Sequence, residues 1–267
     1  MSAQPFNWRH LPGGRSLMTS LLVFLYAPLA ILVIYSFNAS RIVTVWGGFS
    51  TRWFGMVWDN PDIRRTAYTS ITVAIMATIL ATAFAVAAAL ALERGRLPGL
   101  RGLSESLIAL PLVVPEIVVA ITTLVFFSAI GLKLGAGNLV IAHTVFCIPF
   151  ALLPMRARLR DMGQSAENAA RDLYASDWQV FRRITLPLML PAIASGAMLS
   201  FVTSLDDFII SMMVADAGTT TLPVYVYGMM RVGVTPEVNA VSAILLGVSL
   251  LLVVMALLLT GRKPAAT

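Results

Sequence analysis

Six long apolar runs limit what this chain can become. They fall at about 17–37, 67–92, 103–130, 139–155, 188–215 and 239–260. A helix needs about 20 mostly apolar residues to cross a bilayer core. In lipid every backbone N–H and C=O must be satisfied internally, so runs like these become helices. Only 12% of the 267 residues are charged and 58% are hydrophobic. Soluble domains carry about 25% charge. The expected fold is an all-α polytopic membrane protein with six transmembrane helices. The first run has no small-residue cleavage site and exceeds a signal-peptide core, so it is expected to stay in the membrane.

Six crossings put both termini on one side, together with segments 93–102 and 156–187. Thirteen of the 19 Lys and Arg lie there, among them Arg156, Arg158, Arg160, Arg182 and Arg183. Excess Lys and Arg mark the cytoplasmic side. Residues 1–16 and 261–267 are therefore expected as cytoplasmic tails around a single transmembrane domain, 17–260. This asymmetry accounts for the net charge of +6 without a nucleic-acid partner; the expected surroundings are membrane lipid. The single cysteine, Cys147, excludes an intrachain disulfide.

The most polar stretch is SAENAARDLYASDWQVFRRITLPLMLP, 165–191, lying between two apolar runs. Ser165 is the expected N-cap, and Glu167 falls in the first turn, where a carboxylate meets the positive end of the helix dipole. Ala169, Leu173 and Tyr174 recur at helical spacing, and Trp178 and Phe181 continue an apolar side. Two readings stay open on the residues alone: a hairpin that docks into a partner's groove, or a solvated loop on the membrane surface.

Acidic residues inside the apolar runs are the next signal. Such groups are costly in lipid and face a cavity or a partner. Glu116 directly follows Pro115, with Pro111 four residues earlier; two prolines break a helix and free its carbonyls. Glu116 either lines a pathway or stabilises the half-helix that follows. Asp206 and Asp207 are neighbours, so on a helix they point about 100° apart. Either they serve a cation pathway or they are hydrated near the end of the span. His143 is expected to be a packed, hydrogen-bonded residue, and no second His or Cys sits at metal-ligand spacing, so no metal site is expected. In the outer loop 38–66, Trp53 and Trp58 fit an interfacial belt. Trp46, before Gly47-Gly48, fits the same belt or a ring face that holds an ammonium.

Asn168-Ala169-Ala170, three residues, Tyr174, nine residues, then Ile184-Thr185-Leu186-Pro187 resembles the coupling loop of ABC importer permeases. That pattern reads Glu-Ala-Ala, three residues, Gly, nine residues, Ile-x-Leu-Pro. Two positions depart from it. Asn168 stands at the Glu, with Glu167 one place earlier. Tyr174 stands at the Gly, so the turn there is expected to differ. The segments SFNASRIVTVWGGFSTRWFG, PEIVVAIT and SFVTSLDDFIIS resemble polyamine-importer permeases of the putrescine and spermidine type, and the resemblance spans about residues 26–259.

The resemblance implies a type I ABC importer transmembrane fold in the bacterial inner membrane. It implies a second homologous permease, two ATP-binding subunits that use ATP and Mg, and a periplasmic polyamine-binding protein. Segment 156–187 would be the coupling loop, with Glu167, Asn168, Ala169, Ala170, Tyr174, Ile184, Leu186 and Pro187 at motif positions. Trp46, Glu116, Asp206 and Asp207 would contact the substrate. No cofactor is expected on this chain. Neither Lys133 nor Lys263 lies in a Gly-x-x-x-x-Gly-Lys-Ser/Thr loop, so ATP hydrolysis and catalysis are not expected of it. The alternatives are an ABC permease for another small cationic solute and an ATP-independent secondary transporter.

Overall fold

Proline and aspartate interrupt two of the apolar runs and leave the others as single helices. The computed structural model describes residues 14–43, 45–95, 101–133, 135–216, 218–233 and 235–260. The tail 1–13, residues 96–100 of the 93–102 segment and the tail 261–267 lie outside the described residues, as do the cytoplasmic placements expected for them. Among the described residues, five helices are long and apolar enough to cross a membrane. The run expected as a sixth span, 103–130, is two shorter helices, α4 (Arg101–Val113) and α5 (Glu116–Ala129). The backbone opens at Pro115, which is extended (φ −52°, ψ 132°) ahead of α5.

The described chain divides into two units. The first comprises Met1–Asn60 and Met229–Leu245. It holds α1 (Gly14–Tyr35) and α2 (Arg52–Asp59). The loop between them is built on Asn38, which is fully buried. Its side chain donates to Val45 O at 2.8 Å and accepts from Gly47 N at 2.8 Å and Ser40 N at 3.1 Å. Its carbonyl accepts the Trp53 indole N–H at 2.6 Å. Trp53 is thus a buried anchor and not the interfacial residue expected; Trp58 is exposed. A Cβ at Gly47 would lie 2.9 Å from Ser40 N, so glycine is required there.

The second unit comprises Pro61–Gly228 and Leu246–Thr267. Its frame is α3 (Pro61–Glu93), α6 (Ala136–Met162) and α9 (Leu186–Asp206). Ala74, Ala77, Ala81, Ala85 and Ala89 form a fully buried stripe along α3. Small residues at three- and four-residue spacing let helix backbones approach closely in a membrane. Gly196 on α9 does the same against α6, since a Cβ there would stand 2.5 Å from Ala151 O. Leu152, Met155 and Leu159 of α6 pack with Leu92 and Met189 at one end of this frame. Val73, Phe127, Leu139, Phe146 and Ile210 pack together in a second cluster.

The fifth apolar run does not stay helical to residue 215. It stops at Asp206, Asp207 is extended (φ −62°, ψ 129°), and the short helix α10 (Ile209–Val214) follows. The last outer segment contains α11 (Leu222–Val232), and α12 (Pro236–Thr260) follows it.

Candidate functional site: an acid-lined cavity and the loop before α9

The polar stretch folds as α7 (Ser165–Asp172) and α8 (Asp177–Val180), then one π-helical turn, Phe181–Thr185, that runs into α9. The expected cap is displaced. Gln164 is the N-cap of α7, with no side-chain cap bond, and Ser165 is the first helical residue. The side-chain cap belongs to α8, where Ser176 and Gln179 form a reciprocal capping box. The first part of segment 156–187 is not loop either, because α6 continues to Met162.

Glu167 is buried, while Asn168, beside it at the motif position, is exposed. Glu167 accepts from Arg94 Nε at 2.8 Å and from Thr185 Oγ1 at 2.8 Å. Arg94 also donates to Leu159 O and Gly163 O. Arg156 and Arg160 both reach Glu93. Ala169, Leu173, Tyr174 and Trp178 form an exposed face, with Tyr174 97% exposed. Ala170, Ile184 and Leu186 are half-buried and Pro187 is exposed.

The turn at Tyr174 overturns an expectation. Tyr174 has φ 62°, the one non-glycine residue with positive φ among the described residues. The turn keeps the left-handed geometry suited to glycine. The tyrosine adopts it at a cost of about 1–2 kcal/mol.

The second constellation lies at the breaks. A cavity of about 480 Å³ is lined by Glu116, Asp206, Asp207, Phe146, Thr203 and Phe208, among others. Glu116 opens α5 and lines the same cavity as Asp207. The two expected roles of Glu116 coincide, since it is both the first residue of a half-helix and part of the cavity wall. Asp206, exposed, accepts from Ser249 Oγ at 3.0 and 3.1 Å. Asp207 is buried and accepts from Ile210 N at 3.3 Å and Ser211 N at 2.8 Å, capping α10. The pair is therefore split by a backbone break and not by helical geometry. Trp46 belongs to the first unit, half-exposed, with its ring edge-on to Tyr35 at 5.9 Å.

Sequence reasoning gave no role to three residues that hold these sites, and it left out one contact of a fourth. His143 is the hydrogen-bonded packing residue expected, with Nδ1 2.7 Å from Ser204 Oγ and Nε2 3.1 Å from Ser211 Oγ. Its approach to Asp207 at 3.3 Å is new. Arg94, Thr185 and Asn38 are the others.

Residues 81–261 match the family described as "Binding-protein-dependent transport system inner membrane component". The chain belongs to this family. This inner-membrane component is 38% identical over 255 residues, 96% of each chain, to the "Spermidine/putrescine transport system permease protein PotC" of Escherichia coli (strain K12). It is 42% identical over 231 residues to the "Putrescine transport system permease protein PotI" of the same strain, covering 84% of this chain and 82% of that one. Its fold is similar to that in a "Crystal structure of a bacterial ABC transporter involved in the import of the acidic polysaccharide alginate". There the TM-score is 0.66 at 19% identity, over 97% of this chain and 100% of the other. The type I ABC importer permease fold read from the sequence is the fold observed.

Proposed function

We propose that this family member is a permease subunit of an ATP-driven importer that carries polyamines, putrescine or spermidine, across the inner membrane. The observation that carries the reading is the cavity with three carboxyl groups, Glu116, Asp206 and Asp207. Its eight lining residues include no Lys or Arg. An acidic wall at breaks in apolar runs, with no Lys or Arg lining it, suits a cationic solute. The names of PotC and PotI, similar over most of the chain, support the choice of polyamines over other cations.

In this reading ATP and Mg are used by two partner ATPase subunits, and a second permease and a periplasmic binding protein complete the complex. Segment 156–187 docks on the ATPase through the exposed face of Ala169, Leu173, Tyr174 and Trp178. Both termini and this segment are cytoplasmic. Closure of the ATPase dimer moves the segment, and α9 carries the motion to Asp206 and Asp207, alternating access to the cavity. Along the pathway the substrate's ammonium groups meet Trp46 and, separately, the acid wall.

The test is uptake of labelled putrescine and spermidine in cells with and without the gene, before and after ATP depletion. ATP-dependent uptake that disappears with the gene is expected. It should fall at least tenfold in Glu116→Gln, with the complex still assembled. Unchanged polyamine uptake on deletion removes the substrate assignment, and uptake that survives ATP depletion removes the importer mechanism.

A further inference from the structure

His143 sits where the acid wall of the cavity meets the protein. It is 1% exposed on α6, and each ring nitrogen has a partner on another segment. Nδ1 lies 2.7 Å from Ser204 Oγ on α9. Nε2 lies 3.3 Å from Asp207 Oδ2 and 3.1 Å from Ser211 Oγ on α10. A carboxylate only accepts, so the proton toward Asp207 is on Nε2. Ser204 Oγ, which can donate or accept, meets the other ring nitrogen. Cys147 and Ser200, one turn further along the same two helices, exchange a second pair of bonds between side chains and carbonyls. His143 is therefore held in place from both sides.

The same bonds define what Asp207 can do. One oxygen accepts from Ile210 N, the other from Ser211 N and His143. Most of its accepting capacity is taken up by the protein. Asp206, in contrast, is exposed, and among the described residues the hydrogen bond it accepts comes from a neutral hydroxyl, Ser249 Oγ. Glu116 is half-buried on the cavity wall. The three acids are not equivalent.

We propose that His143 is a positioning residue that ties Asp207 into the wall, leaving Glu116 and Asp206 as the two carboxylates that receive ammonium groups and matching the cavity to a diamine over a triamine. This rests on the polyamine reading of the cavity. Removing the imidazole takes away one of the three groups that Asp207 accepts from, while Ile210 N and Ser211 N still hold it; the accepting capacity released on Oδ2 favours a ligand with a third ammonium.

Two measurements on the intact transporter test it. The chain has two histidines, His10 and His143, so ring ¹⁵N signals of His143 can be assigned by their loss in His143→Gln. Asp207→Asn should shift the Nε2 signal; an unmoved signal overturns the tie. The second measurement is the ratio of putrescine to spermidine uptake at equal membrane levels. His143→Leu should lower that ratio at least threefold, and His143→Gln, which keeps an N–H donor, should restore it. Equal loss of both amines, or an unchanged ratio, overturns the selectivity role. If the wild-type transporter takes up neither amine, the polyamine reading and the selectivity role fall together, and the ¹⁵N experiment still decides the tie.

Discussion

Arg94 and Glu167, 73 residues apart in the chain, are joined by a 2.8 Å ion pair with side chains only 16% and 3% exposed. The guanidinium also holds Leu159 O and Gly163 O, and the carboxylate also holds Thr185. One ion pair thereby fastens the end of α3, the end of α6, α7 and the π-helical turn to one another. A buried charge that loses its partner costs about 3–5 kcal/mol.

Arg94→Ala should destabilise the assembled transporter by about 3 kcal/mol, the low end of that range because Arg94 is partly exposed. Glu167→Gln should cost less, since its amide oxygen can still accept from Arg94 or Thr185. Thermal unfolding of the purified complex gives both values. Wild-type melting of Arg94→Ala would show that the pair contributes nothing.

Tyr174→Gly should raise stability. Relief of the left-handed conformation is worth about 1–2 kcal/mol, less about 0.5–1 kcal/mol for the added freedom of glycine in the unfolded chain. A net gain of about 0.5–1 kcal/mol is expected when the subunit is melted without its ATPase. A lower melting temperature there would mean that the exposed ring contributes more than the strain costs.

Ala170→Arg should separate ATP hydrolysis from transport. Ala170 is half-buried on α7 beside the exposed face, and a long charged side chain there blocks docking. Basal ATPase activity should persist, and stimulation by the loaded binding protein should drop at least fivefold. Full stimulation in the assembled variant would refute the docking role.

Gly196→Ala should force α6 and α9 apart. The new methyl group would meet Ala151 O at 2.5 Å, a backbone atom that cannot swing away. Overpacking of this kind costs about 1–3 kcal/mol. An unchanged melting temperature together with unchanged uptake would mean that the crossing relaxes freely.

The sequence made the spans legible because about 20 apolar residues in lipid have one structural solution. It also showed the break at Pro115, where the chemistry is local. It did not show the break at Asp207. There a side chain caps the next helix through the backbone N–H groups of Ile210 and Ser211, which every residue but proline carries and which leave no mark in the sequence. Ser165 drew attention as a cap, yet the capping box formed at Ser176, where Gln179 could reach back. The misplaced glutamate of the coupling motif was visible, but its partner Arg94 lies in a segment that reads as an ordinary turn. His143 with Asp207 and Asn38 with Trp53 were out of reach for the same reason: each pairs residues that only the tertiary fold brings together.

Gly196 lies ten residues from each end of α9. At 1.5 Å per residue, each half of the helix is about 15 Å long. The contact with Ala151 leaves no room for a side chain between the two backbones, so it holds α9 near its midpoint. A rod held at its midpoint is a lever with equal arms, and Pro191 lies within the arm that begins at Leu186. A push of a few ångströms on the arm that ends at Leu186 would emerge at Asp206 with about the same size and the opposite sense. The crossing would then act as a fulcrum with a mechanical advantage near one, reversing the stroke of the loop without enlarging it.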